Sequence, residues 1–422
     1  MAFKDIRKSG RLFTPADVGF VLGAFILIVA LLVLDIYLAR ILSGGEWLYL
    51  RWSGARAFLF EHIEPYGSIV AQRVQELTYS GRAAFLNEYP YALNDPFYIV
   101  LLYTPLALFS DFTIVRGIWM LLSQAALVGI VLLSLNLSEW EPPLWMFIIF
   151  MGFGLFSYFS ISALLFASPA IFLTLIYLFI LSALRSFSDE LAGALLFLVA
   201  YQWEVGILFF LLVLVFVIMN RRWHVFIGFG MTFVLLALVS LIANSGWIIP
   251  YIRAVLFDWT RGITYTFGIT LAYIFSGLSI SIDKWITAAV SVVVLFEAIR
   301  SANEHARQVM WAAFLSLALN PMVGFAIFPS NHIALLPAAI LVTALVRERW
   351  QDSRVVLSIF LIGLIIFFYF GFYFETLGAS SQIYSELISI LPPILTVIGL
   401  YWMRWWAVRP PRIWADQFGA RK

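Results

Sequence analysis

The chain has 422 residues, 63% of them hydrophobic and only 12% charged, with mean hydropathy +0.96 and formal net charge +2. A soluble domain is roughly a quarter charged. This chain therefore lacks the polar surface to face water on all sides, and its excess apolar area calls for lipid. These values exclude a soluble enzyme, a disordered chain and a nucleic-acid binder, and they imply no polyanion-binding surface. Cysteine is absent, which removes disulfides, thiolate metal sites and cysteine nucleophiles. The four histidines, His62, His224, His305 and His332, are too scattered to suggest a metal cluster.

A spanning helix needs about 20 mostly apolar residues. Apolar runs occupy 18–42, 96–109, 114–137, 144–159, 161–184 and 191–219. They continue at 225–243, 285–299, 309–328, 333–346, 355–374 and 387–403. The expected fold is an all-α polytopic transmembrane helix bundle of about 12 spans, a single integral membrane domain over 1–422. Pro105, Pro169 and Pro337 fall inside runs, where neighbouring helices satisfy the freed backbone. Basic residues near span ends set orientation. Lys4, Arg7, Lys8 and Arg11 place 1–17 in the cytoplasm. Counting onward, Arg221–Arg222, Arg300 with Arg307, Arg347 with Arg349 and Arg354, and the tail 404–422 all fall on that side. Both termini are expected to be cytoplasmic. The first run is long for a signal peptide and has no clean small-residue cleavage site, so it reads as a retained span.

Two long segments, 43–95 and 244–284, are expected outside, with short outer turns at 138–143 and 375–386. Leu48, Trp52, Ala55 and Leu59 recur at helical spacing, while Glu46, Tyr49, Ser53 and Arg56 take another face. The spacing predicts an interfacial helix with a carboxylate at the membrane boundary. In the second segment, 247–259 carries aromatics and Arg253 at the spacing of a helix at headgroup level. The apolar piece 263–282 does not fit the parity and reads as interfacial or re-entrant. Gln202 and Glu204 lie about a dozen residues into a long run. An ionisable residue at that depth is either functional or part of a broken helix opening to a water-filled cavity. Glu297, near Arg300, reads as a local ion pair.

Three motifs in order resemble the GT-C glycosyltransferases. The first span is followed by Glu46, Trp47, Tyr49, Gly54, Ala55, Arg56, Ala57, Pro65 and Tyr66. Asp95-Pro96-Phe97-Tyr98 then precedes the proline-containing stretch from Leu101 to Leu108. Ser330-Asn331-His332-Ile333-Ala334-Leu335-Leu336-Pro337-Ala338 starts a late span. The pattern is most similar to the bacterial polyprenol-phosphate-mannose-dependent mannosyltransferase-like family. That resemblance implies a multi-pass protein of the bacterial cytoplasmic membrane. It also implies transfer of a hexose, with inversion, from a polyprenyl-phosphate sugar to a lipid, glycan or protein acceptor at the outer leaflet. Such a transfer needs a base for the acceptor hydroxyl, cations or donors for the departing phosphate, and an apolar groove for the polyprenyl tail.

Under the resemblance, Glu46 and His332 are the catalytic candidates. Tyr49, Arg56, Asp95, Gln202, Glu204, Arg253 and Arg261 are the substrate-binding candidates. Arg253 and Arg261 read equally well as residues snorkelling to lipid headgroups. The implied partners are the sugar donor and membrane lipids, with no nucleic acid; no cofactor is implied, and a divalent metal is left open. The chain departs from the family pattern at three places. Glu46 replaces an aspartate, Ala167-Ser168-Pro169-Ala170 replaces Gly-Gln-x-Asn, and Gln202-Trp203-Glu204 replaces a Lys-Pro pair. The lost lysine removes a cation for a lipid phosphate. The alternative reading is a non-catalytic GT-C-like subunit or a lipid-linked-glycan transporter.

Overall fold

The structure is a computed structural model that describes residues 15–85, 91–260, 266–275, 277, 282–350, 353–378 and 382–408. Every regular element among them is helical. Helix α1, Pro15–Ile41, is an unbroken apolar rod with nearly every face exposed. It leans on α6, Phe112–Leu137, where Gln124 donates to Asp35 Oδ1 at 2.9 Å.

Between them lies a cap. It contains α2 (Glu46–Arg56), a π turn (Ala57–Glu61), α3 (Ser68–Thr78), α4 (Phe97–Leu102) and α5 (Thr104–Ala107). The expected span at 96–109 is not formed. Tyr103 ends α4, and Pro105, which cannot donate an N–H, restarts the chain in the first turn of α5. Neither piece exceeds about 9 Å.

Helices α7 (Leu144–Phe156) and α8 (Tyr158–Leu165) form one crossing, Leu144–Leu165, broken at extended Ser157. The expected break near 160 therefore moves to Ala167–Pro169, ahead of α9, Ala170–Arg185. The run 191–219, read as one span, is a hairpin. Helix α10 (Asp189–Val199) and α11 (Trp203–Met219) bring Asp189 and Arg222 into an ion pair, and Arg222 Nη1 donates to Leu184 O at 2.8 Å. A straight helix over that stretch would hold its ends roughly 45 Å apart.

The remaining helices are α12 (His224–Ala243), α13 (Ile248–Thr260), α14 (Phe267–Ile274), α15 (Ile282–Ser301) and α16 (Ala306–Leu319). They are followed by α17 (Leu336–Arg349), α18 (Arg354–Gly378) and α19 (Gln382–Val408). Two 3₁₀ turns, Asn320–Met322 and Pro329–Leu335, join α16 to α17. Helices α16 and α17 are buried almost all round and form the centre of the core. Helices α1, α12 and α18 present exposed Leu, Ile, Val and Phe, as lipid-facing surfaces do. Helix α10 closes on α12 because Gly193 and Gly228 carry no side chain; a Cβ on either would fall within 2.1 Å of a backbone oxygen.

Among the described residues, seven helices are long and apolar enough to cross a membrane. The count of about twelve is not reached by that measure. Ala170–Arg185 and Trp203–Met219 are apolar but shorter.

One end of the bundle gathers arginine ion pairs: Arg185–Glu139 at 2.7 Å, Arg404–Glu297 at 2.8 Å, Arg222–Asp189 and Arg307–Glu348. Glu297 thus pairs across helices with Arg404 rather than locally with Arg300. The turn 138–143, expected at the opposite side, lies at this arginine end through Glu139. The misread run 96–109 and the misread hairpin each shift parity once, so the arginine turns still coincide. Single cysteines at Glu141 and Ser353 are expected to label from one side of sealed vesicles, and Ser68 from the other. The chain's lack of cysteine gives a clean background. Labelling of Glu141 together with Ser68 would overturn the placement of turn 138–143.

Candidate functional site

Helix α2 organises the end opposite the arginines. It starts after Gly44 and Gly45, both at positive φ (118° and 92°). A Cβ on Gly44 would sit 2.5 Å from Leu165 O, and one on Gly45 would sit 3.0 Å from Arg116 Cδ. Only glycine meets both demands. Arg116 of α6 seals this corner. Its Nη1 donates to Leu42 O (2.6 Å) and Ala39 O (3.2 Å), and its Nη2 donates to Ser43 O and Leu165 O (both 2.9 Å).

Glu46 is the first residue of α2 and is 9% exposed. Burial pushes its carboxyl above the ordinary carboxylate range, opposed by backbone N–H groups at the helix start and by Arg116. Its Oε2 is enclosed and, among the described residues, has no hydrogen-bond partner. The polar face read from the spacing is not open to water: Glu46 and Ser53 are buried, and Tyr49 and Arg56 are half-buried. The later cap helices α3, α4 and α5 fold back over α2 and cover it.

Three contacts radiate from α2. Trp47 meets Phe328 edge-on at 5.3 Å, bringing the 3₁₀ turn that carries His332 to the cap. Arg51 pairs with Asp95, Nε–Oδ2 at 2.8 Å and Nη2–Oδ1 at 3.1 Å, with both side chains almost wholly buried. The second contact is a well-angled hydrogen bond and the first an ion pair. Burial alone would lower the Arg51 affinity for its proton, but Asp95, Tyr103 and Tyr201 more than offset this, so the guanidinium stays charged. Arg56 Nη1 donates to Ala107 O (3.1 Å) and Phe109 O (3.2 Å), and its guanidinium lies over Trp52 and Phe60.

Asp95 also anchors a tyrosine shell. Tyr66 Oη donates to Asp95 O at 3.0 Å. Burial and then Asp95 hold the Tyr66 phenol well above its ordinary range, and burial pushes Tyr103 up to about 12. Trp247, just before α13, stacks on Phe97, and Tyr251 approaches Tyr66. Tyr91 contacts Trp47, and burial followed by the Glu46 charge raises its phenol.

The structure thus gathers Glu46, Asp95 and the segment bearing His332 around α2. His332 itself is fully enclosed, edge-on to Phe159 at 5.5 Å, and among the described residues both ring nitrogens lack a hydrogen-bond partner. Gln202 precedes α11 at the hairpin tip, next to Tyr201, whose phenol burial holds well above its ordinary range. Glu204 lies in the first turn of α11, so the long apolar run is indeed a broken helix. Asn320 braces the break: its Nδ2 donates to Glu204 O (2.8 Å) and its Oδ1 accepts from Leu208 N (3.0 Å). Between these contacts Gly206 leaves the helical region, against the Tyr177 ring. Asn320→Ala removes both bonds and is expected to cost about 1–3 kcal/mol in the denaturation of purified protein. A cost near zero would show that the kink holds without the clamp.

Tyr49 turns to the other side of α2. It packs edge-on against Phe112 at 4.9 Å, and burial raises its phenol. Arg253 stands exposed on α13 beside Ile252, on the side away from the Tyr66 contact. Arg261 lies outside the described residues. The apolar piece 263–282 contributes α14, packed on α15, with Gly268 N donating to Asp283 Oδ1 at 2.9 Å; 263–265, 276 and 278–281 lie outside the described residues. Among the described residues, no three His, Asp or Glu side chains cluster for a metal.

Sequence reasoning missed Arg51, Arg116, Tyr91, Asn320 and Asp35. Asp35 and Arg116 carried a signal, each being a charge inside or at the edge of an apolar run.

Lipid-facing helices and a cap of short helices that encloses the Glu46 carboxylate define a helical integral membrane protein with a candidate site at one end. Residues 93–279 match the family model of glycosyltransferase family 87, a family of GT-C-type membrane glycosyltransferases. The GT-C resemblance read from the motifs is borne out by that match. The matched segment contains Asp95, Gln202, Glu204, Arg253 and Arg261, whereas Glu46 and His332 lie outside it. No curated protein and no solved structure matches the chain.

Proposed function

We propose that the chain transfers a hexose from a polyprenyl-phosphate sugar to an acceptor hydroxyl at the outer leaflet, with inversion. The observation that carries this reading is Glu46. Its Oε2 is enclosed and, among the described residues, lacks a hydrogen-bond partner, within the cap of a chain whose residues 93–279 match a glycosyltransferase family model. Its carboxylate takes the proton of the acceptor hydroxyl, and the acceptor oxygen attacks the anomeric carbon from the face opposite the phosphate. The C1–O bond breaks, and polyprenyl phosphate leaves with the bonding electrons. Arg51 fixes Asp95 rather than meeting phosphate. His332, seated beside Phe159, is assigned to the apolar wall. The exposed apolar flank of α13, with Ile252 and Leu256, suits the polyprenyl tail, with Arg253 at headgroup level.

Both termini are assigned to the cytoplasm on the positive-inside rule, which puts the cap outside. A non-catalytic subunit or lipid-linked-glycan transporter is the second reading. It is favoured by one observation: Arg51, Arg56 and Arg116 are all engaged by protein oxygens rather than open to a phosphate. Purified protein incubated with polyprenyl-phosphate hexoses and short lipid-linked or glycan acceptors separates the two. Transfer above a no-protein control supports the enzyme; none from any donor supports the second reading.

A further inference from the structure

At the arginine end, α9, α11 and the turn between α15 and α16 enclose a cleft of about 510 Å³. That lies within the range of small-molecule sites. It lies at the end opposite Glu46 and Asp95 and shares no residue with that site. Its floor is apolar and buried, formed by Leu181, Val213 and Met310. Its mouth is charged, with Arg185, Arg221 and Arg222 set against Asp189 and Glu304, and His224 alongside.

The three arginines differ in how they are held. Arg222 is locked by Asp189 and the Leu184 carbonyl, and its guanidinium lies 4.9 Å from the Phe187 ring centroid. Arg185 pairs with Glu139. Arg221 is exposed, on a left-handed backbone (φ 54°), and among the described residues it has no ion pair. His224 is engaged by Glu190 at 2.9 Å. With Arg185 held by Glu139 and Arg222 by Asp189, Arg221 is the guanidinium of the mouth that, among the described residues, has no ion pair and is left to meet an anion.

An apolar floor beneath a cationic mouth, in a chain with lipid-facing helices, fits an amphiphile with one anionic head. Free phosphate leaves the floor unused, and a zwitterionic lipid brings its own cation to Arg221. Basic pockets between helices at the cytoplasmic side are the usual seats of anionic headgroups. We propose that this cleft binds an anionic phospholipid from the leaflet at the arginine end. Arg221 holds the phosphodiester, and an acyl chain runs over the exposed Phe187 ring and the half-buried Phe216, above that apolar floor. The site is independent of the transferase reading.

The test uses the full chain in detergent with equimolar phosphatidylglycerol and phosphatidylcholine, read by native mass spectrometry. Wild-type protein is expected to retain one phosphatidylglycerol in preference to phosphatidylcholine. Arg221→Glu, at an exposed position with no ion pair among the described residues to lose, is expected to weaken that retention by about tenfold. Glycerol 3-phosphate, the headgroup chemistry without the chain, is expected not to displace the lipid. Equal retention of the two lipids, unchanged retention by Arg221→Glu, or displacement by glycerol 3-phosphate would each overturn the proposal.

Discussion

Glu46→Gln is expected to lower hexose transfer by about 10²–10⁴-fold, the usual contribution of a positioned general base. The amide keeps the size of the carboxylate and one accepting oxygen, but puts an NH2 donor in place of the other and has no basic oxygen. Folding should be unaffected, because burying a neutral amide is easier than burying a charge. The pH dependence follows from the burial of the group. A base works only when deprotonated, and burial raises the Glu46 carboxyl above the ordinary carboxylate range. Activity should therefore climb with rising pH through a limb that lies higher than for a solvated glutamate. Glu46→Gln should erase that limb along with the rate. Glu46→Asp withdraws the carboxylate by about one carbon–carbon bond, and misplacement on that scale is expected to cost about 10²-fold. Near wild-type transfer by Glu46→Gln would remove Glu46 from the chemistry.

Much of the fold was legible because membrane helices announce themselves by composition. The runs at 18–42, 114–137, 225–243, 355–374 and 387–403 all return as helices with shifted ends. The errors share a cause. Hydropathy measures how apolar a stretch is and ignores where the chain turns. At 96–109 two prolines chop an apolar stretch into cap helices. At 191–219 the turn Ala200–Gln202 reverses an apolar stretch on itself. Glu46 and Asp95 stood out as acids beside aromatic motifs. Their settings did not, since Arg51 pairs with Asp95, 44 residues away, and Arg116 binds partners 49 to 77 residues away. The helical spacing of α2 predicted one dry face; the cap, formed by chain far downstream, dries the other as well. Tertiary cover of that kind leaves no local periodic trace.

The Arg51–Asp95 pair yields the second large expected effect, on stability rather than rate. Arg51→Met strands a carboxylate in a buried site, and Asp95→Leu strands a guanidinium. Each is expected to destabilise the purified protein by about 3–5 kcal/mol. The double variant removes both charges and should cost clearly less than the sum, which equilibrium denaturation of all four proteins measures directly. Additive losses would mean that the two side chains do not depend on each other. The same variants bear on the base assignment. Asp95 accepts from Arg51 through one oxygen and lies 2.8 Å from its Nε through the other, so neither oxygen is open to an acceptor hydroxyl. Asp95→Asn should therefore lower stability at least as strongly as it lowers transfer. A variant that folds with wild-type stability yet has lost transfer would move the base from Glu46 to Asp95.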